Sequence, residues 1–271
     1  MILQQMPPFL NVVASGVATL RIPRYAMTLT RLVLRLGGTT FTKAMIADIK
    51  IKIGPRTVWN CTGPRIDAIN AYKGVATGTN FLTIDFTERD ATGDVRPKEV
   101  GGFDLTTMND DVTVEVTIAG ATAPALSAIA FMTPPQGNPL IQKLVYVPAS
   151  SAVAGKFPVQ IFPRGALIKR VHFFYGGTDW GAAANGNMNR LEVKKSGLVI
   201  WDAECLEARF MQGEYRKVPQ SKLYVYDPIM DNNVSGLVTT ADAASMEFNA
   251  YLAAADTLNC YVELLDLPGN I

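Results

Sequence analysis

The chain has 271 residues, 48% of them hydrophobic and 18% charged, with 25 lysines and arginines against 24 aspartates and glutamates. So apolar a composition excludes a disordered chain, and a net charge of +1 excludes a general attraction to nucleic acid or to an anionic surface. The single histidine, His172, excludes histidine pairs and multi-histidine metal sites, while Cys61, Cys205 and Cys260 lie too far apart for a disulfide framework or a Cys-x-x-Cys zinc pair and are expected to be buried thiols in a reducing compartment.

The run from Met1 to Val17 is uncharged, but Pro7 and Pro8 interrupt it and no basic residue precedes it. It reads as an arm or first strand and not as a secretory signal. From there to Asp48 every charge is positive: Arg21, Arg24, Arg31, Arg35 and Lys43. Two readings stand for these residues, solvated faces with chance spacing or a region facing phosphate or lipid headgroups, so Arg21 and Arg24 are candidate contact residues. Leu32, Leu34 and Leu36 then alternate with Val33 and Arg35, the period-two pattern of a half-buried strand with Leu34 in the core. Beyond Trp59 a short helix is predicted, with Thr62 as cap, Pro64 in the first turn, Ile66 and Ile69 on one face and Gly74 as stop. Strands resume at Phe81, and Val112, Val114, Val116 and Ile118 again alternate with polar residues. The uncharged stretch from Val116 to Gln142 carries Pro124, Pro134, Pro135 and Pro139 and is not a membrane-spanning helix. Its Pro134–Pro139 cluster has the composition of a linker, which places a domain boundary between residues 137 and 138.

The second half of the chain repeats the first. Ile22-Pro23-Arg24 recurs as Phe162-Pro163-Arg164, and the nine residues Arg31 to Thr39 recur as Arg170 to Thr178. Past a small insertion near 182–187 the offset settles at 142, laying Ile49 and Ile51 on Leu191 and Val193, Trp59 on Trp201, and Asp85 on Asp227. Four matches in one order describe two copies of one fold, over residues 1–137 and 138–271. In the second copy Val171, Phe173 and Tyr175 repeat the strand pattern, with Phe173 in the core, and a second helix is predicted with Asp202 as cap, Leu206 and Phe210 on one face, and Gly213 as stop. Short strands between Gly, Asn and Pro turns indicate an all-β protein: two tandem jelly-roll β-sandwiches, a double jelly roll, each with about eight strands and a short inserted helix.

Chemistry is sparse in this pattern. His172 falls where the first copy has Val33, as a strand residue, and no phosphate-binding glycine loop or paired catalytic carboxylates emerge, so no catalytic or cofactor-binding residue is assigned. Asp227, Asp231, Asn232 and Asn233 follow a predicted strand and present oxygen ligands suited to calcium, or simply line a solvated turn. Trp59 and Trp201, at equivalent places in the two copies, are expected to be core anchors rather than sugar platforms, whereas Trp180, in the loop after Gly176-Gly177, is the candidate for an exposed contact with a neighbouring subunit or receptor.

Taken together, the opening Asn11 to Gly16, the strand at Ile22-Pro23, the helix insertion from Trp59 to Gly74 and the second copy from Val159 resemble the double jelly-roll major capsid proteins of tailless, internal-membrane bacteriophages, the corticovirus type above all. The resemblance spans nearly the whole chain and rests on size and duplication more than on any short motif. It implies a structural, non-enzymatic protein that forms a homotrimer, tiles an icosahedral virion shell over a lipid vesicle and resides in host cytoplasm before assembly. Penton and membrane-associated virion proteins, with lipid headgroups, are the further partners it implies, and specific nucleic acid is not among them. It also implies that the Met1 to Val17 arm is ordered by a neighbouring subunit. The alternative is a carbohydrate-binding or receptor-binding spike protein on the same sandwiches.

Overall fold

A computed structural model describes residues 1–93 and 99–270 and divides the chain into two compact units. The first comprises Met1–Ala71, Val75–Val145 and the stretch from Leu265; the second comprises Tyr72–Gly74 and Tyr146–Leu264.

In chain order the first set of elements is β1 (Ile2–Gln5), β2 (Gly16–Arg21), β3 (Thr28–Thr40), β4 (Ile46–Ile53), β5 (Arg56–Cys61), α1 (Gly63–Tyr72), β6 (Phe81–Asp85), β7 (Phe103–Asp104), β8 (Val112–Ile118) and β9 (Thr122–Thr133). The second set is β10 (Ile141–Ser151), β11 (Gly155–Val159), β12 (Leu167–Tyr175), β13 (Met188–Lys195), β14 (Leu198–Glu204), α2 (Cys205–Glu214), β15 (Leu223–Tyr226), β16 (Val238–Thr239), β17 (Met246–Leu252) and β18 (Asp256–Asp266). Strands of the first set run side by side in the orders β1-β9-β3-β6, with β7 also on β3, and β2-β8-β4-β5. Strands of the second run in the orders β10-β18-β12-β15, with β16 also on β12, and β11-β17-β13-β14. Each strand of the second set follows its counterpart by nine in chain order, so the duplication legible in the sequence is a duplication of topology. Four strands against four is the jelly-roll arrangement.

Alternation builds each core. Ile49, Ile51 and Ile53 of β4 and Val112, Val114, Val116 and Ile118 of β8 point inward and are buried, as are Leu191 and Val193 of β13 and Phe248 and Ala250 of β17. The aligned tryptophans share even a local defect: Trp59 pairs with Ile51 and Trp201 with Val193, and in both sheets the register shifts at the next residue, the mark of a β-bulge.

Helix α1 begins after Thr62, whose carbonyl accepts from Ile66 N at 3.1 Å, and Gly74 at φ +70° ends the segment in the left-handed region that a side chain resists. The expectations for α2 need correction. Asp202 lies in β14 and pairs with Arg190; the cap is Glu204, whose side chain accepts from the Glu207 N–H while the Glu207 carboxylate accepts from Glu204 N. Gly213 lies inside the helix, and the reversal falls to Arg216 at φ +61°.

Two further expectations change. The N-terminal arm is held by its own chain: β1 pairs antiparallel with β9 from Ile2↔Met132 to Gln5↔Ile129, and Met6 and Phe9 are buried. Strand β12 is not half-buried like β3. From Ile168 to Tyr175 every residue is buried, on both faces of the strand.

Candidate functional site

In the second unit Val171, Phe173 and Tyr175 point into the core, so Arg170, His172 and Phe174 stand on the opposite face of the sheet, and they too are covered. Burying an arginine and a histidine requires partners. Arg170 and Asp227 are both fully buried, with Arg170 Nε 2.9 Å from Asp227 Oδ2 and Nη1 3.4 Å from Glu263 Oε2 on β18. The Tyr72 hydroxyl donates to Asp227 Oδ2 at 3.0 Å, and Lys73 Nζ stands 2.5 Å from Glu263 Oε1, which also lies 3.2 Å from His172 Nε2. Two cations and two carboxylates therefore balance, with a histidine and a tyrosine filling the remaining positions.

The field inside the cluster follows from burial. Burial pushes the Tyr72 hydroxyl well above its ordinary value, reinforced by Asp227. It also holds the His172 imidazole below its ordinary 6.5, a shift that Lys73 and Arg170 deepen and Glu263 opposes. Burial works to raise the Glu263 carboxyl, but Lys73, His172 and Arg170 outweigh it and hold that group well below the carboxylate range. The ring is thus neutral and the carboxylate charged, the arrangement of a structural lock rather than a proton shuttle.

The predicted oxygen ligands do not converge. Asp227 is engaged by Arg170 and Tyr72, Asp231 Oδ1 accepts from Asn233 N at 3.0 Å, and Asn232 Oδ1 accepts from Lys217 Nζ at 2.7 Å. No group of three or more His, Cys, Asp or Glu side chains suited to a metal ion occurs among the described residues. Leu34 and Phe173 are fully buried and Trp59 nearly so, while Trp201 is half-buried, edge-on to Tyr226 with its indole N–H donating to Tyr224 Oη at 3.0 Å. Trp180 is half-buried beneath Arg209, 4.0 Å from guanidinium carbon to ring centroid, and its indole N–H donates to Gln220 O. The basic N-terminal run is mostly matched: Arg21 and Arg24 share Asp111, Arg31 holds Asp85, and Lys43 holds Asp67. All three cysteines are buried thiols outside any disulfide.

Sequence reasoning missed Tyr72, Lys73 and Glu263 and did not join Arg170 to Asp227. The signal for that last pair was present, because the repeat lays Arg31 on Arg170 and Asp85 on Asp227, and Arg31 Nη2 meets Asp85 Oδ2 at 3.1 Å.

A chain that repeats one sandwich twice has the organisation of a building block. Family models decide the point: the N-terminal domain of viral coat protein P2 matches residues 3–133, and its C-terminal domain matches residues 141–268. The chain belongs to the viral coat protein P2 family. Among solved structures, the major capsid protein P2 from bacteriophage PM2 is similar over 98% of this chain and 97% of that one, with a TM-score of 0.86 at 14% identity. A chain of Sulfolobus turreted icosahedral virus is similar over 98% and 91%, with a TM-score of 0.70 at 13% identity. The capsid of PBCV-1 virus follows at 97% and 92%, with a TM-score of 0.63 at 11% identity. At such identities these likenesses establish the double jelly-roll fold, while the P2 family establishes the role. A search of curated proteins finds no match. The protein is a viral coat protein, and its place is the virion capsid.

Proposed function

We propose that three copies of this coat protein assemble into a ring whose six sandwiches form a pseudo-hexagonal tile, and that such tiles close an icosahedral shell over a lipid vesicle, completed by penton and membrane-associated proteins. The observation that carries this reading is the strand-for-strand duplication. Two copies of one sandwich in a chain let a three-fold ring present six similar sides to its neighbours. The low charged fraction supports it, because surfaces that pack against copies of themselves are depleted in charge at their centres.

Sedimentation tests the ring directly. The purified protein is expected to sediment at three times the mass of the 29.4 kDa chain, and negative-stain images are expected to show hexagonal outlines. A monomer at every accessible concentration would contradict the proposal. Vesicle flotation tests the membrane-facing part: trimers are expected to float with lipid vesicles, and trimers left at the bottom of the gradient contradict it.

A further inference from the structure

The two sandwiches offer equivalent outer sheet faces in different states. In the second unit the rows Arg170–Asp227, His172–Val225 and Phe174–Leu223 are buried throughout, and Tyr72 and Lys73, the end of helix α1 and the residue after it, stand against this face. In the first unit the equivalent rows are Arg31–Asp85, Val33–Thr83 and Arg35–Phe81. Here Phe81 is 45% exposed and Val33, Phe131 and Ile129 are half-buried, with Leu3 of β1, paired to Phe131, 60% exposed. Arg31 lies over the Phe131 ring, has one carboxylate where Arg170 has two, and its Nε has no hydrogen-bond partner.

The helices are asymmetric in the same sense. Helix α1 (Gly63–Tyr72) and helix α2 (Cys205–Glu214) have the same length and the 142-residue offset of the repeat, which lays Glu214 on Tyr72 and Tyr215 on Lys73. Ile66, Ile69 and Tyr72 of α1 are buried. On α2, Phe210 is 69% exposed, Leu206 lies one turn before it and is also exposed, and Gly213 to Arg216 form an uncovered strip. One chain therefore shows a used helix end and a covered sheet face, together with an unused helix end and an open sheet face.

We propose that the α2 end of one copy docks on the open β3-β6-β9 face of a second copy, with Phe210 and Tyr215 on the apolar patch and the Glu214 carboxylate against Arg31. The occupant is a second copy because the complementary patterns lie on the same chain: an aromatic helix end that presents the Glu214 carboxylate beside Arg216, and a sheet face with an arginine short of a carboxylate. The contact joins unlike surfaces, and a head-to-tail contact whose rotation closes after three copies makes a ring. This inference rests on the trimer reading above and specifies which surfaces make it.

The test mixes two variants with one added cysteine each, Glu214→Cys and Val33→Cys, under mild oxidation. The native cysteines are buried and stay silent. A disulfide-linked pair is expected only in the mixture. Phe210→Asp, at an exposed position, is expected to leave the far-ultraviolet spectrum unchanged and to weaken trimer association at least tenfold. Glu214→Arg is expected to weaken association similarly, with recovery in the double variant Glu214→Arg/Arg31→Glu. Wild-type trimers in sedimentation with no mixed disulfide and full-strength trimers of Phe210→Asp would overturn the docking alone. A wild-type monomer overturns the trimer reading and the docking with it.

Discussion

The arginine–aspartate pair on strands β3 and β6 of the first sandwich recurs in the second between β12 and the residue after β15, and the two pairs live in different solvents. Arg31 keeps 22% of its side chain in water, stacked on Phe131, with a single carboxylate partner. Arg170 has none in water and is held by Asp227 and Glu263, with Lys73 closing the charge balance. The difference shows how a duplicated fold divides its labour. Once one copy's outer face is covered, its polar positions must join a satisfied network or be apolar, and the second copy shows both: the counterpart of Arg31, Arg170, lies within the network, while the counterpart of Arg35 is Phe174. The other copy's face keeps the mixed apolar and charged character of a surface awaiting a partner.

The sharpest way to break this comparison is to remove the same side chain from both places. Arg170→Met leaves Asp227 and Glu263 facing each other in a dry site and is expected to destabilise the fold by about 3–5 kcal/mol. Arg31→Met leaves an aspartate that still accepts from Thr87 N and Oγ and is expected to cost about 1 kcal/mol or less. Urea unfolding of the two variants measures both, and equal losses would show that burial does not distinguish the pairs.

Acid probes the same contrast without mutation. His172 is neutral in the fold with its value held below 6.5, so as pH falls through 6.5 the unfolded chain takes up a proton that the folded chain refuses, and stability declines. Glu263 is held well below its ordinary 4.5, so its contribution is complete above that pH and is lost as pH falls beneath it. Thermal melts are expected to weaken first below about pH 6.5, with a slope of at most about 1.4 kcal/mol per pH unit for one proton. His172→Val, which imports the first sandwich's residue, is expected to flatten the interval between 6.5 and 5 while leaving the later loss. An unchanged profile in that variant would remove His172 from the account.

Much of this architecture was legible because periodicity and duplication are written in apolar spacing. Leu34 and Phe173 alternate with their neighbours as half-buried strands require, and the tryptophans fall at one offset because both sit beside the same bulge. The burial of β12 on both faces was not legible, since a strand covered by a distant segment keeps its two-residue period and only its polar positions change meaning. Tyr72 and Lys73 lie far along the chain from every member of the network they complete, and no local pattern announces such a contact. The cap on α2 was misplaced by two residues because aspartate and glutamate both satisfy an amide N–H, and the place of Asp202 inside β14, opposite Glu192 and ion-paired with Arg190, decided between them.

The smallest expected effect concerns Trp180, the loop residue read as an exposed contact. Its ring lies under Arg209, whose guanidinium also donates to Gly181 O at 3.0 Å and Ala184 O at 3.2 Å, so the pair staples the loop between β12 and β13 to helix α2. Half-buried stacking of this kind contributes about 0.5–2 kcal/mol. Arg209→Lys retains the charge but loses the planar fork that reaches two carbonyls while covering the ring, so most of that contribution is expected to be lost. The first sandwich has neither the insertion nor a tryptophan there, and the end of its β3 carries Gly38 at φ +100°, paired with Pro124 and close against the Ala123 backbone. Hydrogen exchange of 176–187 in Arg209→Lys is therefore expected to rise several-fold while 37–42 stays unchanged. Equal protection before and after the substitution would mean that the loop is held by Asp179, through Ser221 and Lys222, and not by the stacked pair.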